Sequence, residues 1–309
     1  MIDLSILIVS YNTCQETLAC LASVYRFPPQ CRFEVILIDN ASADASADAV
    51  ARAFPQTKVI ASPTNLGFAQ GNNVAASHAV GRRLLLLNPD TIVFNDSLSA
   101  LWRCAEAHPA AQIWGGRTLF ADGRLNPASC WGPPTLWSLL CSALGLTRAF
   151  PRSAWFNTEA FGGWRRDTER CVPIVSGCYL LIDHALWCDL KGFDSLFFMY
   201  AEEVDLCLRA AQRGARPFVT PASTIIHLGG VSEPSQVEKV IKIHRGRVTL
   251  IRKHWSPARR RAGLALYWLW AFLRLIGSNI ASGPRDLPGQ SAAKWREVWR
   301  QRHIWLAGY

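Results

Sequence analysis

Five short stretches of the sequence hold side chains that could do chemistry. Asp39, in Ile38-Asp39-Asn40-Ala41-Ser42, closes an apolar run, where its carboxylate can accept hydrogen bonds from a ribose hydroxyl or a base N–H. A turn or a helix cap would use the same residue. Asn65-Leu66-Gly67-Phe68-Ala69-Gln70-Gly71-Asn72-Asn73 sets glycines and asparagines at the start of a predicted helix, where free backbone N–H groups and the helix dipole favour an anion. It lacks the Gly-Lys-Ser/Thr end of a Walker loop, and a tight turn with capping asparagines would leave the same trace. In Asn88-Pro89-Asp90-Thr91 the proline biases Asn88 toward extended backbone, so Asp90 is offered from a strand tip, where a hard cation could bridge it to a diphosphate. An ordinary strand exit is the plain alternative.

Glu202, Glu203 and Asp205 fall within one helical turn behind Phe197-Phe198-Met199-Tyr200, and repulsion with partial burial could raise the basicity of one of them. Asp205 also suits an i,i+4 pair with Arg209, whereas Glu202 and Glu203 point about 100° apart. His227 ends the run Thr224-Ile225-Ile226 just before Gly229-Gly230, where an imidazole could complete a cation's shell. A lone histidine is more often structural.

Such residues need a scaffold that gathers strand ends. Leu4 to Val9 is a short, continuous apolar run, as expected of a strand buried on both faces of a parallel sheet. It ends at Ser10-Tyr11-Asn12. A helical pattern through Leu18, Leu21, Ala22 and Tyr25 stops at Pro28-Pro29, and Phe33 to Ile38 is a second buried strand. The rhythm repeats with a helix near 45–53, a strand over 58–61, a helix near 69–80 and the strand 84–87. This alternation predicts an open parallel sheet covered by helices, with ligands bound beyond the carboxyl ends of its strands, where Asn12, Asp39 and Asp90 lie. Further on, a hairpin is predicted at Asp122-Gly123, then a Trp-, Pro- and Gly-rich stretch to about 170 with weak periodicity. A strand over 172–182 interrupted at Ser176-Gly177, a helix over 201–213 closed by Gly214, and strands near 216–220 and 224–227 follow.

The 309 residues are half hydrophobic and 18% charged, which excludes a disordered or collagen-like chain. Charge is uneven: residues 1–238 hold 18 Lys/Arg against 21 Asp/Glu, a net of −3, while 239–309 hold 15 against 2, a net of +13. The last quarter therefore wants an anionic surface, phospholipid or nucleic acid. Ten cysteines with no C-x-x-C pair, behind a start lacking a signal-like segment, are expected to be reduced cytosolic thiols, mostly small core residues.

The order of the stretches is more specific than any one of them. Ser5 to Asn12, IDNAS, NLGFAQGNN, NPDT, Gly177 to Ile182 (GCYLLI), FDSLFFMYAEEVDLCLR and IIHLGG together resemble a family 2 glycosyltransferase of GT-A fold, within its bacterial rhamnosyltransferase-like branch, over about residues 3–232. The resemblance implies an α/β fold, a Rossmann-like, mostly parallel open sheet flanked by helices. It implies a catalytic domain over 1–235, with a nucleotide-sugar half to about 115 and an acceptor half from about 116, followed by a basic helical region over 236–309. It also implies an inverting transfer from a nucleotide-diphosphate sugar. Asp39, with Ser10, Tyr11, Asn12, Asn65, Gly67, Asn72 and Asn88, would hold the donor. Asp90 and His227 would bind Mg²⁺ or Mn²⁺, and Glu203, with Glu202 as the second choice, would be the general base. Asn88 stands where the family usually has the first Asp of D-x-D, and Glu203 where it usually has the Asp of a Glu-Asp pair. The branch implies L-rhamnose from a dTDP donor; UDP-galactofuranose or a UDP-N-acetylhexosamine would use the same residues. The acceptor would be a glycan or a polyprenyl-diphosphate-linked one. A membrane-bound carbohydrate-binding protein without turnover is the reading of another class.

Trp131, Trp137, Trp155 and Trp164 fall where the family builds its acceptor site, and they are expected either to line it or to pack in the core. Residues 262–276 are apolar nearly all round except for Arg274, yet short of the roughly 20 residues that span a bilayer. The favoured expectation is a helix lying in the interface, with Tyr267, Trp268 and Trp270 at headgroup depth and neighbouring arginines holding anionic lipid; a buried helix and a true span are the alternatives. Localisation follows as cytoplasmic and peripheral on the inner membrane, with no nucleic-acid partner.

Overall fold

In a computed structural model the chain is described over residues 1–229, 235–281 and 291–309. It divides into two compact units that are not consecutive in sequence. The first comprises Met1–Trp131, Arg165–Phe198 and the described part of 202–232; the second comprises Gly132–Trp164, Met199–Ala201 and the described residues from 235 onward.

The first unit is built on the predicted alternation: β1 (Leu4–Ser10), α1 (Cys14–Arg26), β2 (Phe33–Asp39), α2 (Ser46–Ala53), β3 (Lys58–Ala61), α3 (Gly67–Ser77), β4 (Arg83–Leu87), β5 (Thr91–Val93) and α4 (Ser97–Ala107). β6 (Ile113–Leu119) and β7 (Leu125–Asn126) form the hairpin turning at Asp122-Gly123, and β8 (Cys130–Trp131) follows. Beyond the second unit's insertion come β9 (Arg170–Cys171), β10 (Ile174–Val175), β11 (Tyr179–Asp183), α7 (His184–Asp189), α8 (Glu202–Ala211) and β12 (Phe218–His227).

The main sheet runs β3-β2-β1-β4-β11-β6-β12-β5. Its first four strands are parallel, as expected. The other half is mixed: β11 is antiparallel to both β4 and β6, β12 is parallel to β6, and β5 is antiparallel to β12. The two separate strands expected near 216–227 are one strand with a register shift between Thr220 and Thr224. Apolar runs without alternation arise because both faces are covered: Ile6, Ile8, Leu37 and Leu85 pack with Cys20, Leu21, Leu98 and Leu101, while Leu7, Ile36 and Leu86 are equally buried on the reverse face. All ten cysteines are free, and six of them are buried.

The second unit is helical. α5 (Leu136–Ala143) and α6 (Leu146–Ala149) join α9 (Gln236–His254), α10 (Pro257–Ala281), α11 (Ser291–Arg300) and α12 (Arg302–Ala307). Its core gathers Leu139, Ile241, Val248, Ile251, Tyr267, Ala271, Val298 and Trp305. α10 departs from the membrane-surface expectation at Tyr267, which is only 3% exposed within that core, and at Trp270, whose ring stacks on His244 at 5.0 Å between centroids. A helix with one face in a protein core and apolar residues on the other reads as apolar all round, which is why the sequence suggested lipid. Among the described residues no helix is long and apolar enough to cross a membrane.

Candidate active site

The carboxyl ends of β1, β2 and β4 carry the expected residues. Ser10 pairs in register with Asp39, and Asp39 with Ala61. Asp39 is buried; its Oδ2 accepts from the Ser42 N–H at 3.2 Å, whereas its Oδ1 is buried without a hydrogen-bond partner. The turn and the recognition readings of Asp39 thus coexist: one oxygen closes the turn, and the other is an unused acceptor, which costs stability unless something fills it. Ser10 turns inward, its hydroxyl within hydrogen-bond distance of Thr13 and Thr17. Asn12 adopts a left-handed backbone and ties the neighbouring loop down, with Oδ1 accepting from Ala43 and its N–H donating to Ser42 Oγ. Tyr11 beside it is partly exposed.

The loop before α3 is braced from within rather than held open for a phosphate. The N–H groups of Leu66, Gly67 and Phe68 donate to Asn40 Oδ1, Asn65 Oδ1 and the Phe198 carbonyl, so the free donors expected there are taken. Gly67 has a φ of +74°, and a Cβ on it would collide with that same carbonyl; only glycine fits. Asn72 is buried and donates to the Phe68 carbonyl one turn back. Asn40 was not singled out from the sequence, yet its amide donates to Asn65 Oδ1 and the Gly67 carbonyl while its own oxygen takes the Leu66 N–H. The only signal for it was its place next to Asp39. Asn73 clamps Phe193 at both its N–H and its carbonyl.

Asn88, Asp90 and His227 come together. His227 Nε2 lies 3.3 Å from Asp90 Oδ1 and 3.5 Å from Asn88 Nδ2, because β12 ends beside β5, with His227 in register with Thr91. Burial disfavours the imidazolium, but the Cys178 sulfur and the Asp90 carboxylate beside it outweigh burial and push His227 up to about 10. Asn88 Oδ1 and His227 Nδ1 are buried without hydrogen-bond partners. Once a cation displaces the imidazolium proton, one carboxylate, one imidazole and an orphaned amide oxygen would suit a divalent ion that leaves room for substrate phosphates. They do not make an all-protein cage, and among the described residues no group of three or more His, Cys, Asp and Glu could hold a metal. Gly230, Val231 and Ser232, which follow His227 in the expected motif, lie outside the described residues.

Glu202 and Glu203 begin α8, with Asp205 paired to Arg209 at 2.7 Å as the spacing predicted. The two glutamates differ sharply in environment. Glu202 is 4% exposed with Oε2 lacking a hydrogen-bond partner, and burial first, then the charge of Glu203, push its carboxyl well above the usual range. Glu203 is partly exposed and neighbours Gly177: a Cβ on that glycine would sit 3.7 Å from Glu203 Cβ and 3.1 Å from the Phe68 ring. Cys178, the next residue, accepts the Asn88 N–H on its carbonyl at 3.0 Å. A chain of contacts therefore runs from Glu203 through Gly177 and Cys178 to Asn88, Asp90 and His227, and from Gly177 through Phe68 and Gly67 to Asn40, which follows Asp39.

Of the tryptophans expected near an acceptor, Trp131 and Trp164 are partly buried, whereas Trp137 and Trp155 are exposed.

Comparison with known proteins agrees with this geometry. The description "Glycosyl transferase family 2" fits residues 5–172. The chain is 27% identical over 205 residues to N-acetylglucosaminyl-diphospho-decaprenol L-rhamnosyltransferase of Mycobacterium tuberculosis, covering 62% of this chain and 66%, just under two thirds, of that relative's length. It is 26% identical over 189 residues to Rhamnosyltransferase WbbL of Escherichia coli strain K12, covering 58% of this chain and 67% of that one. Mannosyltransferase PcManGT from Pyrobaculum calidifontis, solved in complex with GDP-Man and Mn²⁺, has a similar fold, with a TM-score of 0.57 and 17% identity over 98% of this chain and 84% of the other. The fold is thus the expected GT-A type, and with a match running from β1 to just past β9, over half of its length, the chain belongs to glycosyl transferase family 2.

Proposed function

We propose that the protein is an inverting glycosyltransferase that moves L-rhamnose from a dTDP-linked donor to a lipid-linked glycan acceptor at the cytoplasmic face of a membrane. The observation that carries the reading is the meeting of Asp90, His227 and Asn88 at the strand tips, linked through Cys178 and Gly177 to Glu203. The choice of sugar and of a lipid-linked acceptor is supported by the names of the two rhamnosyltransferase relatives. UDP-galactofuranose or a UDP-N-acetylhexosamine remains the second choice of donor.

In this reading Asp39 accepts from the nucleoside with its unused Oδ1, beside Ser10, Tyr11 and Asn12, while Asn65, Gly67 and Asn72 shape the adjoining wall. Asp90 and His227, with Asn88, would hold Mg²⁺ or Mn²⁺, which would supply charge neutralisation for the leaving diphosphate. Glu203 takes the proton of the acceptor hydroxyl as its oxygen bonds to the anomeric carbon from the face opposite the leaving group. The bond from that carbon to the nucleotide diphosphate breaks, and the configuration inverts. A sugar hydroxyl is far too weak an acid to ionise at neutral pH, so a carboxylate within hydrogen-bond reach is required. Glu202, buried and with its carboxyl pushed well above the usual range, is the weaker candidate for that task. The catalytic part is assigned to about 1–235, and membrane association to the basic region from 236.

The test is a panel of nucleotide-diphosphate sugars with Mg²⁺ or Mn²⁺, scored by transfer and by nucleotide release. Glu203→Gln should lower turnover by about 10²- to 10⁴-fold, the usual worth of a general base, while still binding donor. Asp90→Ala should abolish transfer and the response to added metal. Full turnover in Glu203→Gln would remove that base, and transfer indifferent to a chelator would remove the cation.

A further inference from the structure

The second unit presents apolar side chains on a folded frame. Between α5 and Phe156, Leu144, Phe150 and Trp155 are 56%, 50% and 78% exposed. They are not on a loose loop. Trp137 Nε1 donates to the Trp155 carbonyl at 2.7 Å, Thr147 Oγ1 to the Phe156 carbonyl at 2.9 Å, and Asn157 Nδ2 to the Pro151 carbonyl at 2.8 Å. The Phe150 and Phe156 rings lie 5.2 Å apart. Three carbonyls of this segment are thus paired by side chains of the same unit, which holds the segment in a fixed conformation. Tryptophan is the side chain best suited to a boundary with one wet and one apolar side.

The charged side chains within residues 144–155 are both arginines. Arg148 and Arg152 lie within the projection, and Arg274 of α10 is held below the usual guanidinium range by burial and then by the nearby charge of Arg148. Arg148 and Arg152 are both exposed, so their guanidiniums are open to an anionic surface. Residues 239–309, which supply most of this unit, carry a net charge of +13.

We infer that the projection from Leu144 to Trp155 is the membrane-seating surface, with Leu144, Phe150 and Trp155 entering the interface of an anionic bilayer while Arg148 and Arg152 hold lipid phosphates. The inference rests on the membrane association proposed above but moves its apolar anchor from Tyr267 and Trp270, which pack internally, to the α5–α6 projection.

Flotation of the full chain with vesicles of phosphatidylcholine, alone or mixed with phosphatidylglycerol, tests it. Wild type should float preferentially with the mixed vesicles. Phe150→Ser combined with Trp155→Ser should weaken partitioning at least about tenfold on both compositions, as two exposed rings lose their apolar contact. Arg148→Gln combined with Arg152→Gln should remove the preference for phosphatidylglycerol and keep the residual binding to phosphatidylcholine. Unchanged helicity and melting temperature in the serine variant, whose changes are on exposed side chains, show that folding is intact. Hydrogen exchange over 144–155 should slow when vesicles are present. If wild type floats and the serine variant floats equally, the projection is not the anchor and the membrane reading stands. If wild type fails to float, the membrane reading itself is wrong. Self-association of wild type that the serine variant abolishes, without flotation, would assign the surface to a second copy of the chain and overturn the inference.

Discussion

Replacing Glu202 with glutamine tests the claim that one carboxyl of the pair keeps its proton. Glu202 is buried at the start of α8, and burial together with the Glu203 charge raises its affinity for a proton in the folded protein. In the unfolded chain it ionises near 4.5. Above that pH the folded state binds a proton that the unfolded state has lost, so unfolding releases it and rising pH favours unfolding. For one such group the loss is about 1.4 kcal/mol per pH unit for as long as the folded carboxyl stays protonated. The loss therefore accumulates above pH 4.5, over the range in which the folded carboxyl keeps its proton. Glutamine has nearly the same shape and never ionises. Any cost of its extra N–H donors is the same at every pH, so the slope and not the offset carries the information. Urea unfolding at half-unit steps, followed by far-UV circular dichroism, should show wild type losing stability relative to Glu202→Gln as pH rises. The slope should shrink when both proteins also carry Glu203→Gln, since the second contribution is then gone. A difference independent of pH would mean that Glu202 titrates alike in both states, and the proposed preference for Glu203 over Glu202 as general base would lose its physical ground.

Three further outcomes are expected. Asn40→Ala removes three hydrogen bonds that brace the loop before α3, so donor KM should rise severalfold with a smaller effect on kcat, measured by steady-state transfer. In Gly246→Ala the added methyl would run into the Tyr200 carbonyl in the second unit, and the melting temperature should fall, with a loss of about 1–3 kcal/mol typical of overpacking. His244 is enclosed by Tyr267, Trp270, Trp295 and Trp305, and burial followed by the Arg247 charge pushes it down to about 3. The unfolded chain therefore takes up a proton near 6.5 that the folded one refuses, and stability should fall by about 1.4 kcal/mol per unit as pH drops from 6.5 toward 3, a dependence that His244→Phe should abolish in acid denaturation.

Much of the first half of the fold is legible residue by residue, since a strand covered on both faces must be largely apolar, and the continuous apolar runs 6–9, 35–38 and 84–87 have no other reason to lack alternation. The asymmetry of the glutamates was not legible: adjacent residues on a helix share every local property, and only the packed environment buries Glu202 while leaving Glu203 partly open. Asn40 escaped for a related reason, since its work is done on Asn65, Leu66 and Gly67, some 25 residues away. The burial of Tyr267 and His244 needed the partner helices, because an aromatic face turned to protein and one turned to lipid have the same composition.

The direction of β11 decides more about the site than any single side chain, and an apolar run does not reveal it. YLLID reads equally well as a parallel or an antiparallel strand. Because it runs antiparallel to β4, Tyr179 lies opposite Leu87, and the residues just before it, Gly177 and Cys178, arrive at the edge where Asn88 and Asp90 leave the sheet. A parallel strand would have brought Asp183 to that edge and carried Gly177 to the far end, beside Arg83. Glu203 also lies beside Gly177, so the strand reversal is what sets the start of α8 near the residues that meet the end of β4. The family's motifs lie far apart along the chain, and this one reversal accounts for why the fourth and fifth of them meet.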